Sequence, residues 1–125
     1  MGRLVTLKEP LAIDRVVELV KSHLKLKHVR LATTTNCKGI EKIAICAGSG
    51  GSVLKNVKAD LFLTGEMSHH EVLDAVHRGT NVILCEHSNT ERGFLSKWKE
   101  VLQSALGEGV QITVSLNDRD PLEVV

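Results

Sequence analysis

The sequence predicts an α/β domain with a mixed, largely parallel sheet flanked by helices. Three observations carry this. β-rich runs alternate with stretches in which apolar residues recur at helical spacing. Several of the β-rich runs, "KIAICAG", "ADLFLTG" and "NVILCE", are apolar without strict alternation, as strands covered on both faces are. Each of these runs ends in a polar turn containing glycine. The length of 125 residues suits one domain over residues 1–125.

The elements follow in order. "RLVTL" (3–7) is a short strand, and Pro10 stands where a helix would begin. Ile13, Val16, Val17, Val20 and Leu24 place a helix in "LAIDRVVELVKSHLKL". "HVRLATT" (28–34) reads as a strand, and "TNCKGIE" as a turn punctuated by Asn36 and Gly39. "KIAICAG" (42–48) is a buried strand, "GSGGS" (48–52) a turn and "SVLKNV" a short helix. "ADLFLTG" (59–65) is another buried strand. "SHHEVLDAVHRG" (68–79) is a helix stopped by Gly79. "NVILCE" (81–86) is a strand. "NTERGFLSKWKEVLQSALGEG" (89–109) is mostly helix, with Phe94, Leu95, Trp98, Val101, Leu102 and Leu106 on its inner stripe. "VQITVSL" (110–116) is predicted as the last strand, and "NDRDPLEVV" closes the chain.

Composition excludes several functions. Aromatics make up 2% of the chain, too few for the stacking platforms of single-strand nucleic-acid binding. The net charge is +1 and no basic stripe exists to neutralise phosphates, so no direct nucleic-acid contact is expected. No apolar run approaches a membrane span and no signal-peptide pattern opens the chain. Three dispersed cysteines without a CxxC pair point to a reducing compartment.

In open α/β sheets the ligand crevice lies beyond the carboxyl ends of the strands. Three such ends here carry chemistry: "CAGSGGS", "LTGEMSHH" and "CEHSNTERG". His87 and Glu91 are four apart, one above the other if helical, and can share a divalent cation. Ser88 and Glu91 equally spell a capping box. Two ligands are too few for a closed metal site, so others would have to come from elsewhere. In the second turn Ser68 and Glu71 form another capping box, which puts His69 and His70 in a first helical turn, where an imidazole tends to stay neutral. Gly48, Ser49, Gly50 and Gly51 offer amides to an anion, or serve only tight packing. Cys46 and Cys85 read as core thiols, with His87 the one base close in sequence to Cys85. His23, His28 and His77 have no partner pattern, and Asp118 and Asp120 sit in a polar turn able to reach a cation.

"ADLFLTGEMSHHEVLDAVHRGTNVILCEHSNTERGFL" closely resembles the C-terminal half of the NGG-interacting factor three-like family, whose bacterial members are called type-two homologues of GTP cyclohydrolase I. The strand–"TGE"–"SHH" and strand–"HSNTERG" signatures carry the resemblance, and its eukaryotic branch is the nearer match. It implies two divalent ions, zinc, iron or manganese, held between two α/β halves. His87 and Glu91 match the family's H-x-x-x-E ligands, His70 a pocket histidine and Glu66 the acid of the T-G-[DE] turn. The family's remaining ligands, an adjacent histidine pair and an aspartate, belong to an N-terminal half absent from this sequence. The chain therefore resembles a C-terminal fragment, expected to hold metal weakly and to be inactive alone. The resemblance further implies homo-oligomers from dimer to hexamer, transcription-related protein partners and a cytoplasmic or nuclear location. The expectation is a half-site in a dinuclear, hydrolase-like centre, with no residue assigned as catalytic. The competing expectation is a non-enzymatic interaction module.

Overall fold

Nine elements and two 3-10 turns form around one five-stranded sheet, in a computed structural model that describes residues 2–36 and 38–122. Cys37 of the "TNCKGIE" turn and the terminal "EVV" lie outside the described residues. In chain order the elements are β1 (Arg3–Leu11), α1 (Ile13–Leu24), β2 (Arg30–Ala32), β3 (Ile40–Ser49), α2 (Gly51–Leu54), β4 (Leu61–Glu66), α3 (His69–His77), β5 (Asn81–Leu84) and α4 (Leu95–Leu106). The sheet order is β1-β3-β4-β5-β2. The three central strands are parallel, and both edge strands pair antiparallel.

The period of two along each strand divides the core. Ala44, Cys46, Phe62, Val82 and Leu84 face one way and meet Leu54 of α2 and Ala75 of α3. Leu61, Ile83 and Cys85 face the other way and meet Val16 and Val20 of α1, joined by Ile40, which precedes the irregular stretch of the β1–β3 pairing and so falls out of step with Ala44. β5 is buried at all four positions, which is why "NVIL" needs no polar alternation. The opposite end of the sheet from the glycine turns is closed by polar side chains. Asp60 Oδ2 accepts from the amides of Glu41 and Lys42 at 3.0 and 2.7 Å. Asn81 Oδ1 accepts from the Thr34 amide at 2.9 Å, and its Nδ2 donates to the Asp60 carbonyl at 2.9 Å.

The capping box of α3 forms as the sequence spells it. Ser68 Oγ accepts from the Glu71 amide at 3.4 Å, and Glu71 Oε2 accepts from the Ser68 amide at 2.8 Å. Donation from the Ser68 amide and hydroxyl holds the Glu71 carboxyl below its ordinary value. Its contribution is therefore present above the unfolded-state pKa and is lost as pH falls through the lowered one. Ser68→Ala is expected to destabilise by about 1 kcal/mol in urea unfolding, whereas an unchanged midpoint would mean that the cap carries no load.

The structure departs from expectation at the two chain ends. Pro10 is in β1, not in a helix: the register against β3 is irregular between Thr6 and Leu11, where a residue without an N–H breaks no ladder bond. The segment after β5 begins as two 3-10 turns, Ser88–Thr90 and Arg92–Phe94, and becomes α-helical only at Leu95. Residues 110–116 form no strand and pair with neither edge of the sheet. The stripe of α4 is not inward: Phe94, Leu95, Trp98, Val101 and Leu106 are exposed, and no residue of α4 is buried. Among the described residues no helix is long and apolar enough to cross a membrane.

Candidate functional site

The carboxyl ends of β3, β4 and β5 converge at one spot, and threonine hydroxyls and one backbone bond hold them there. Thr64 Oγ1, fully buried in β4, donates to the Gly48 carbonyl at 3.1 Å. Thr90 Oγ1 accepts from the Gly48 amide at 2.8 Å and donates to the His87 carbonyl at 2.7 Å. The Gly50 amide donates to the Glu66 carbonyl at 3.2 Å. Glu86, just beyond β5, adopts a left-handed backbone (φ 65°) and is paired with Arg30 of β2 at 2.9 Å. Its turn ends the strand and leads into His87.

Three of the candidate residues meet here. His87 Nδ1 lies 2.8 Å from Glu66 Oε1, and His87 Nε2 lies 3.4 Å from Glu91 Oε2. Gly48 forms the floor: a Cβ there would stand 2.7 Å from Glu91 Oε1 and 3.0 Å from His87 Nε2. His87 and Glu91 are thus one above the other, as the spacing predicted, although the intervening turn is 3-10 rather than α. The Ser88–Glu91 capping box does not form. The Glu91 amide donates to the Ser88 carbonyl, and its carboxylate faces the imidazole instead.

An ionised carboxylate only accepts, so the Glu66 contact puts a hydrogen on His87 Nδ1. In the neutral ring the Nε2 lone pair then confronts a Glu91 oxygen. A proton on Nε2 relieves this contact. The carboxylates raise the His87 pKa above its ordinary value, chiefly through the Glu66 hydrogen bond, with the Glu91 charge adding to it. Among the described residues no group of three or more His, Cys, Asp or Glu side chains is arranged to hold a metal ion by itself.

His70 is not in this cluster. It lines a cavity between α2 and α3, while its neighbour His69 faces a separate hollow beside Leu31 of β2. Of the Gly48–Gly51 loop, the amides of Gly48 and Gly50 are engaged within the chain, and the Glu71 carboxylate presses on Gly51. Cys85 is 1% exposed on the α1 side, and burial with the adjacent Glu86 charge pushes its thiol up to about 11. At that value it holds roughly a hundredfold less thiolate than a free cysteine. Thiol titration of the native protein should therefore leave Cys85 unmodified until denaturant is added, and prompt labelling would contradict its burial.

Sequence reasoning missed the supports. Arg92 forks onto Asp118 with Nε at 2.7 Å and Nη2 at 3.2 Å, and its Nη1 lies 3.5 Å from Asp120. Donation from the Ser88 hydroxyl and the Leu122 amide, with the Arg92 charge, holds the Asp120 carboxyl below its ordinary value. The polar "NDRDP" turn is thereby tied to "HSNTERG". Nothing in the local pattern of either segment could have linked them across this sequence distance.

Comparison with known proteins now decides the family. Residues 1–121 match the model of Duf34/NIF3 (NGG1p interacting factor 3). The chain belongs to this family. It is 57% identical over 128 residues to NIF3-like protein 1 of Rattus norvegicus, covering 100% of this chain and 34% of that protein. It is 44% identical over 131 residues to NGG1-interacting factor 3 of Saccharomyces cerevisiae, covering 98% and 44%. The chain thus spans about a third of the length of its mammalian relatives. A solved structure of a Bacillus cereus protein related to NIF3 superposes with a TM-score of 0.77 at 26% identity, covering 100% of this chain and 36% of that one. The NIF3 fold and the nearness to eukaryotic members agree with the resemblance stated above.

Proposed function

We propose that this chain supplies one half of a divalent-metal site, with His87 Nε2 and Glu91 as ligands and Glu66 orienting the imidazole. The observation that carries this reading is the imidazole held between two carboxylates, with its free nitrogen aimed at Glu91. Two donors about 2.1 Å from one zinc ion stand roughly 3.4 Å apart at a tetrahedral angle, which fits the 3.4 Å between Nε2 and Oε2. A carboxylate on the other ring nitrogen is the usual partner of a metal-bound histidine. The bare backbone of Gly48 leaves room at this spot that any side chain would fill. When bound, a metal here supplies Lewis acidity and an activated water for hydrolysis. The chain's own residues fix the tautomer, aim the lone pair and hold the three strand ends together.

In this proposal the rest of a relative-length chain provides further ligands and a second ion. Alone, the chain is expected to bind zinc or manganese weakly, at a single place. Titration of zinc followed by the imidazole resonances should move His87 first, and His87→Ala should abolish the response. Equal responses from all the histidines, unaffected by His87→Ala, would remove the metal reading.

A second reading is a protein-interaction module. Two observations support it: the yeast relative is named for an interaction with NGG1, and α4 exposes Phe94, Leu95 and Trp98. The two readings are compatible, since the stripe lies outside the Glu66–His87–Glu91 cluster.

A further inference from the structure

A cavity of about 780 Å3 opens between α2 and α3, on the sheet face opposite α1, and none of the assigned ligands lines it. Its volume is in the range of small-molecule pockets. The floor is apolar and comes from the sheet and the α3 face: Phe62 and Ala75, both buried, with Val57 and Met67 beside them. The rim is cationic, with Lys42, Lys55, Lys58 and Arg78.

Three carboxylates also line this cavity, and each is committed within the chain. Asp60 accepts from two backbone amides, Glu71 is locked in its capping box, and Asp74 pairs with Arg78 at 3.0 Å. Arg78 also reaches the Lys55 carbonyl at 3.4 Å, which fastens the turn after α2 to the end of α3. Lys42, Lys55 and Lys58 make no ion pair among the described residues, and all three are exposed. Four cationic side chains against three carboxylates leave the lining a small positive excess. The three lysines, of which Lys55 is near enough to Glu71 to act on its charge, surround an apolar floor and match a ligand with an anionic head and an apolar body.

The geometry points to a second binding site in this cavity, for a small phosphomonoester whose apolar part lies on Phe62 and whose phosphate meets the lysine rim. Lysine suits this role as a mobile point charge rather than a fixed fork. The site does not depend on the metal reading.

The test is amide NMR of the chain titrated with naphthyl phosphate, beside naphthoate, naphthol and inorganic phosphate. The expected result is a saturable shift of the amides from Asn56 to Asp60 and from Arg78 to Thr80. Naphthyl phosphate should bind more tightly than any of the other three probes. The triple variant Lys42→Gln, Lys55→Gln, Lys58→Gln should bind it about tenfold more weakly. Raising the salt should weaken the parent and leave the variant nearly unchanged. Equal affinity for naphthol, an undiminished triple variant, or shifts confined to α4 would each overturn the assignment. His87→Ala should leave this binding unaltered, which separates it from any failure of the metal site.

Discussion

Replacing Gly65 by alanine is expected to lower stability by about 3 kcal/mol, the upper range of overpacking at a filled position. Gly65 is buried in β4, and its backbone passes directly beneath the neighbouring strand ends. A Cβ there would stand 2.6 Å from the Gly48 carbonyl oxygen and 2.8 Å from His87 Cα. Both are backbone atoms of other strand ends, so neither can swing aside as a side chain would. Relief requires moving β3 away from the β5 turn, and that would break the Thr64 and Thr90 bonds to Gly48. Gly93→Ala is the control: nothing lies within 4 Å of its Cβ position. It should change stability by no more than about 0.5 kcal/mol. Urea unfolding of both variants decides the matter. Equal midpoints would mean that the three strand ends are not packed as described, and the cluster they carry would lose its foundation.

How far the sequence foretold this arrangement depends on whether the determining forces are local. The central strands were legible because burial on both faces leaves a run such as "NVIL" without polar interruption. The α3 cap was legible because its donor and acceptor are three residues apart in the chain. The identical Ser88–Glu91 pattern misled for a tertiary reason. His87 and Gly48 stand against Glu91, and the chain takes a 3-10 path there, so the carboxylate turns to the imidazole. The α4 stripe and residues 110–116 show a different limit. Their apolar spacing fits a helix face and a strand, but periodicity alone cannot say whether this chain supplies a surface to bury the one or a strand to pair with the other. His70 shows a third limit, since adjacency to His69 in sequence sends the two rings toward different hollows. What joins the site across the chain, Thr64 and Thr90 on Gly48 and Arg92 on Asp118, could not be read from either partner alone.

Glu66→Gln should separate the ligands from their support, because its two expected effects have opposite signs. The imidazole binds metal only when neutral at Nε2. At alkaline pH His87 is neutral with or without Glu66, and losing the carboxylate on Nδ1 should weaken zinc binding about 10–100-fold. At acid pH a proton competes for the same nitrogen. Glu66 is the main cause of the raised His87 pKa, so in Glu66→Gln that pKa falls and the pH midpoint of the weakened binding should lie lower than in the parent. The same shift governs the metal-free fold. A pKa raised on folding stabilises below the unfolded value, and this contribution is lost as pH rises through the folded one. Glu66→Gln should therefore be less stable than the parent near pH ~5 and close to it near pH ~8. His87→Ala, by contrast, should lose metal at every pH. Zinc titrations across pH, read at His87, measure both signs at once. A variant that only weakens binding, with no change in its pH midpoint, would make Glu66 a packing residue. One that changes neither would return the whole stretch from Glu86 to Glu91 to the role of a turn between β5 and α4.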